Sequence, residues 1–139
     1  MPSQYFEFSN SQLFEEKFEI QGRLGEGSFA KVYKCLERES GKTFAVKQLP
    51  RNLDFSEMQA REEEKEIWKD LKHENIVALH RTFKDNSSLL LVCEYMDGGS
   101  LFDEIVGQKV YSEEQARCIM KQVSKLKKLV IAVYYLLFY

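Results

Sequence analysis

Residues 24–47 read LGEGSFAKVYKCLERESGKTFAVK, and this stretch decides how the chain folds. Gly25 and Gly27 interrupt an extended segment, and β-branched and aromatic residues resume over 29–36. ESGK at 39–42 is a turn signal, and 43–49 reads as the next strand. Upstream, Phe18, Ile20 and Leu24 alternate onto one face, so a strand is expected there as well. Three short antiparallel strands are the simplest assembly of this region.

Working outward, Pro50 should end the third strand, because proline has no N–H for a ladder. Ser56 and Gln59 have the spacing of a capping box, and Ala60, Ile67, Trp68 and Leu71 recur at helical spacing over 57–71. Strands are expected at 76–83 and 89–95 around the turn KDNSS, and MDGGS then breaks the chain. A short helix is expected at 101–106. Ser112 and Gln115 form a second capping box, opening a helix with Ala116, Ile119, Met120 and Val123 on one face. The fold class is α+β, in the order β-β-β-α-β-β followed by helices. Residues 1–17 are polar with scattered aromatics: a flexible extension, or a segment that packs those aromatics onto its neighbour.

At 139 residues the chain fits one domain or part of a larger one. A net charge of −2 argues against a general nucleic-acid binder, which carries a basic excess. Cys35, Cys93 and Cys118 are odd in number and widely spaced, which suggests reduced thiols and a cytoplasmic protein rather than a disulfide or metal framework. The first residues lack the basic and apolar blocks of a secretory signal.

The Gly25-Glu26-Gly27 turn sits where two strands fold over, and glycines let backbone N–H groups approach a phosphate chain closely. Many ordinary hairpins carry the same pattern, and Ala30 stands where a third glycine would often follow. Lys47 ends an apolar run and is either solvated or paired. Glu62, Glu63, Glu64 and Glu66 are within the following helix; Glu62, Glu63 and Glu66 read as its solvated face. Glu64 differs, lying three and four residues before Ile67 and Trp68, at the edge of the apolar stripe.

These motifs, together with FAVK, EEEKEIWKDLKHENIV and LLLVCEYMDGGSLFDEI, resemble the N-terminal lobe of eukaryotic protein kinases over about residues 18–123. The wording is closest to serine/threonine kinases of the calcium/calmodulin-dependent type. The resemblance implies a five-stranded antiparallel sheet with one regulatory helix over 18–96 and the first helices of a second lobe over 97–123. It implies ATP as ligand, with Leu24, Val32 and Ala45 around adenine, and Gly25, Glu26, Gly27, Ser28, Phe29 and Ala30 forming the loop over the phosphates. Lys47 would bind the α- and β-phosphates and pair with Glu64. Cys93 falls at the gatekeeper position, and Glu94 and Met96, with Tyr95 between them, would bond the adenine edge. His73 and His80 receive no catalytic role. Trp68 and Ser100 depart from the family's usual residues, the second where calcium-regulated relatives often carry glutamate.

Phosphoryl transfer in this family also uses a His-Arg-Asp loop with its asparagine and an Asp-Phe-Gly segment. The 139 residues contain none of these, so no catalytic residue and no metal ligand is assigned, and Mg²⁺ is expected only with a complete second lobe. Residues 124–139, SKLKKLVIAVYYLLFY, read as an apolar tail outside the family pattern, of the kind a retained intron or frame change would produce. The tail is too short for a spanning helix of about 20 apolar residues, and it is expected to be β-prone and aggregation-prone. The readings weighed are a serine/threonine kinase acting on protein hydroxyls, inactive as this chain stands; a non-catalytic nucleotide- or protein-binding module; and a membrane-surface protein using the basic-apolar tail.

Overall fold

The computed structural model describes residues 7–8, 11–27, 30–50, 55–84, 87–107 and 112–138. Its elements are β1 (Glu7–Phe8), α1 (Ser11–Lys17), β2 (Phe18–Glu26), β3 (Lys31–Glu37), β4 (Thr43–Pro50), α2 (Phe55–Asp70), β5 (Leu79–Lys84), β6 (Ser88–Glu94), α3 (Leu101–Gly107) and α4 (Glu113–Phe138). Two compact units result: residues 1–73 with 77–96, and residues 74–76 with 97–139.

In the first unit, β2 to β6 make the five-stranded antiparallel sheet that the sequence led us to expect. A sixth, two-residue strand adds to it, since β1 pairs parallel with β5 at the edge, giving the order β1-β5-β6-β4-β3-β2. The β3–β4 connection turns at Gly41, whose φ of 68° is the left-handed conformation that glycine adopts without strain. The Gly41 N–H donates to the Glu37 carbonyl at 2.8 Å, and the Lys42 N–H donates to Ser40 Oγ at 3.2 Å.

Strand register sorts the side chains into two layers. On one face, Phe14, Phe18, Cys35, Val46, Phe83, Leu90 and Val92 form a buried cluster. Phe14 stacks on Phe18 at 5.3 Å between ring centroids and meets Phe83 edge-on at 5.4 Å. Phe14 on α1, one of the aromatics before residue 18, is therefore packed onto the lobe; Tyr5, Phe6 and the Phe8 side chain lie outside the described residues. Arg38 ties the same junction down, donating its backbone N–H to the Lys17 carbonyl and its Nε to the Glu15 carbonyl. On the other face, Leu49, Leu79, Leu89 and Leu91 gather beneath Trp68 of α2.

Three local expectations are corrected. Phe18, Ile20 and Leu24 do not all share one buried face: Phe18 is buried, but Ile20 and Leu24 are half exposed. Register keeps Phe18 and Ile20 on the same side, opposite Glu37 and Cys35, and the shifts between Ile20 and Gly22 and between Arg23 and Gly25 take only Leu24 out of the alternation, because each extra residue flips the side chains that follow. Helix α2 begins at Phe55, so Ser56 lies within its first turn and Gln59 donates to Glu63 instead of closing a box. Among the described side chains of the helix the buried one is Lys65, only 2% exposed, whereas Ile67 is 40% exposed.

In the second unit, Ser100 caps α3: its Oγ accepts from the Asp103 N–H at 3.1 Å and donates to the Asp103 carboxylate at 2.6 Å. The Ser112 box closes in both directions, at 3.0 Å and 3.2 Å. From it α4 runs unbroken through residue 138, so the segment after Val123 is helical rather than β-prone. Nucleation is the costly step of helix formation, and a capped start lets the helix propagate through Leu, Lys, Ala and Tyr at little further cost. No helix among the described residues is long and apolar enough to cross a membrane.

Candidate functional site

The site builds up from one transverse row of the sheet. Register places Gly25 opposite Val32, Val32 opposite Lys47, and Lys47 opposite Leu91. Cross-strand partners point to the same face, so Lys47 shares its face with Val32 and with the glycine turn. Ala45, two residues before Lys47, stands on that face too, opposite Cys93, and both are buried. The result is a small apolar floor of Val32, Ala45 and Cys93 beside one ammonium group. Leu24, on the irregular strand β2, is half exposed at its rim.

Above this row the glycine turn leaves space. A Cβ built at Gly25 would meet nothing within 4 Å, and one at Gly27 would meet only the Ala30 carbonyl oxygen at 3.9 Å. Packing among the described residues therefore does not require glycine at either position. The Gly27 N–H donates to the Ala30 carbonyl at 2.8 Å, which closes the turn on itself. Glu26 pairs with Arg23 and, at 4.0 Å, with Lys31, so its carboxylate is turned to neighbouring cations. Ser28 and Phe29 lie outside the described residues.

Lys47 Nζ donates to Glu64 Oε1 at 2.9 Å, an ion pair between β4 and α2. Lys47, Glu63, Glu64, Ala60, Ile67, Trp68 and Leu71 line one cavity. The apolar positions of α2 that periodicity singled out thus all border this cavity, and Trp68 among them also packs on the leucine cluster of the sheet. At the end of β6, the Glu94 N–H donates to the Ala78 carbonyl at 3.0 Å, and the Glu94 carboxylate accepts from the Ala78 N–H at 3.4 Å. The Lys34 ammonium sits 5.1 Å from the centre of the Tyr95 ring, a cation–π contact that ties this segment to β3. Met96 is exposed.

Burial pushes the Cys93 thiol up to about 11, with the Lys47 charge opposing and Glu94 reinforcing the rise. Cys35 is also pushed up to about 11, by burial first and then by Cys93 and Glu37. Both are therefore thiols rather than thiolates near neutral pH.

Two charge clusters escaped the sequence reading. Glu62 is not simply a solvated residue: its carboxylate lies 2.6 Å from Lys65 Nζ and 2.6 Å from Lys84 Nζ. Partial burial pushes its carboxyl up, but hydrogen bonds and charge from Lys65 and Lys84 outweigh that and bring it down to about 2. Glu66 is held below the usual carboxylate range by Lys69 and Lys65. Elsewhere, Glu37 is buried at the end of β3 with Ser40, His80 and Arg81 around it. Its burial raises the carboxyl, and the Ser40 hydrogen bond, His80 and Arg81 together lower it further than burial raises it. His80 stacks on Phe44 at 4.4 Å between ring centroids. The spacings of three residues between Glu62 and Lys65 and between Glu66 and Lys69 were the visible signals for the first of these clusters.

Comparison with known proteins adds the following. The protein kinase domain family matches residues 18–131, and so continues past Val123. Calcium-dependent protein kinase SK5 of Glycine max is 32% identical over 120 residues, covering 81% of this chain and 23% of that protein. CBL-interacting protein kinase 9 of Oryza sativa subsp. japonica is 38% identical over 109 residues, covering 77% of this chain and 24% of its own length. Calcium/calmodulin-dependent protein kinase type IV of Mus musculus is 32% identical over 123 residues, 88% of this chain and 26% of that protein. Among solved structures, Rad53 1-466 in complex with AMP-PNP is similar with a TM-score of 0.76 and 31% identity, over 86% of this chain and 32% of that one. The chain spans about a quarter of the length of the curated relatives named here.

Proposed function

The chain belongs to the protein kinase family, and from that premise we propose that its first unit binds ATP as the nucleotide-holding lobe of a serine/threonine kinase. The observation that carries this reading is the Lys47–Glu64 pair, set in the same sheet row as Gly25 and Val32. A lysine held by a carboxylate keeps its charge and its direction, and both are needed to grip two phosphate oxygens. The open space at Gly25 and Gly27 supports a phosphate chain beneath the turn, with Glu26, Ser28, Phe29 and Ala30 completing the loop. Val32, Ala45 and the rim residue Leu24 supply apolar surface for adenine, Cys93 limits its depth, and Glu94 and Met96 offer backbone groups to its edge. The AMP-PNP bound to Rad53 1-466 is in keeping with this assignment.

Isothermal titration of the purified chain with AMP-PNP tests the reading. Saturable binding that Lys47→Ala weakens tenfold or more is expected, and no saturable binding at millimolar nucleotide would overturn it.

The finer step concerns chemistry. These residues can hold and orient a nucleotide, but the 139 residues include no His-Arg-Asp or Asp-Phe-Gly segment to orient a hydroxyl or hold Mg²⁺ between phosphates. We therefore propose that this polypeptide alone binds nucleotide without transferring phosphate, and that transfer to protein hydroxyls belongs to a chain that also carries those segments. MgATP-dependent phosphorylation of a protein substrate by the purified chain, abolished by Lys47→Ala, would refute this. The unpaired cysteines support a reducing compartment, and we place the protein in the cytoplasm.

A further inference from the structure

Lys47 is not the only lysine that receives a carboxylate from α2. Register pairs Lys47 with Leu91 and Lys84 with Leu89, two residues apart on β6, so both lysines stand on the sheet face that carries α2. Glu64 reaches Lys47 at 2.9 Å and Glu62 reaches Lys84 at 2.6 Å. Two residues apart on an α-helix, the two glutamates project about 200° apart around its axis, one on each flank. Between the flanks Lys65 points inward, buried, with its ammonium 2.6 Å from Glu62 and 3.3 Å from Glu66. Further along the same helix, Trp68 Nε1 donates to the Val77 carbonyl at 2.7 Å.

This geometry constrains motion. A helix held on one flank is free to roll about that contact. With ion pairs on both flanks, a roll in either direction lengthens one of them. The Trp68 bond adds a fixed point along the axis, so sliding is opposed as well. Half-exposed ion pairs contribute little to stability one at a time, but their directional effect on a helix does not depend on a large energy.

We propose that Glu62, Lys84 and Trp68 are positioning residues that fix the roll and slide of α2, so that Glu64 meets Lys47 before any ligand or partner binds. The proposal rests on the reading of Lys47 as the phosphate-binding lysine only for its consequence in affinity. The placement of Glu64 against Lys47 is testable by itself.

The experiment uses the full 139-residue chain with two measurements. Lysine-selective ¹⁵N NMR follows the Lys47 ammonium signal, assigned with Lys47→Arg, while backbone amides of the sheet report that the fold is intact. Calorimetry gives the AMP-PNP affinity. Lys84→Met is expected to move the Lys47 signal to the position it takes in Glu64→Gln, and to weaken AMP-PNP about three- to tenfold. Lys84→Arg should restore both. On a Glu64→Gln background, Lys84→Met should cause no further loss, because the contact it serves is already gone. Glu62→Gln and Trp68→Phe should act in the same direction, and they decide the question if Lys84→Met fails to fold. A Lys47 signal unchanged in folded Lys84→Met, Glu62→Gln and Trp68→Phe would overturn the proposal. So would equal losses of affinity with and without Glu64. If the wild-type chain binds no AMP-PNP, the nucleotide reading fails while the NMR arm still decides the clamp.

Discussion

Lys47 and Glu64 lie 17 residues apart in the chain and meet at 2.9 Å, joining the middle of the sheet to the helix laid over it. Neither residue is deeply buried. A pair of this exposure contributes little to folding, so its value lies in where it holds a positive charge.

Separating the two roles gives the first expected outcome. Glu64→Gln should change the unfolding free energy by less than about 1 kcal/mol, yet weaken AMP-PNP several-fold, because Lys47 loses the acceptor that directs it. Thermal melts set beside calorimetric titrations of the same variant check both halves.

Acid should loosen the anchor at Glu62. Its carboxyl is lowered from 4.5 to about 2 in the folded chain. A depressed folded value means that the contribution is fully present above 4.5 and is lost as pH falls toward 2. The wild type should therefore melt higher than Glu62→Gln at pH 6, and the gap should close as pH falls through that window. A gap of constant size from pH 6 to pH 2 would count against the Lys65–Glu62–Lys84 bridge.

The helix before residue 18 should matter as much as any strand of the lobe. Phe14 lies outside the region matched by the protein kinase family, yet it is buried between Phe18 and Phe83. Removing a buried phenylalanine costs about 3–5 kcal/mol, so Phe14→Ala and Phe83→Ala should both shift the urea midpoint strongly downward. A loss under about 1 kcal/mol for Phe14→Ala would mean that α1 does not cover the core in solution.

Thiol chemistry provides a direct check on the layering. Cys35 and Cys93 are buried and pushed up to about 11, while Cys118 on α4 is exposed. A thiol-reactive chromophore at pH 8 should titrate one cysteine rapidly in the native chain and all three in denaturant. Cys118→Ser should remove the rapid phase.

Much of this was legible in the residues themselves. Strands recur at period two, turns announce themselves with ESGK and MDGGS, and the Ser112–Gln115 box sits at the start of α4. These signals act over a few residues, so a linear reading captures them. The pairing of Lys47 with Glu64 was legible for a different reason: a resemblance carried it, and the helix edge agreed.

What periodicity could not decide was which side of α2 faces the sheet. Ala60, Ile67 and Leu71 looked like the buried stripe, but they line a cavity with Lys47, and the residue pressed inward is Lys65. A lysine is buried only where carboxylates meet it, and Glu62 does so because Lys84, 22 residues away on strand β5, helps to hold it there. The same holds for Phe14, whose burial depends on Phe18 and Phe83 arriving beside it from β2 and β5. Sequence alone thus determined the order of elements from β2 to α4, the glycine turn and the lysine, because local propensity and spacing encode them. The faces, the bridges and the cover over the core were decided by tertiary structure, because long-range partners alone make their burial favourable.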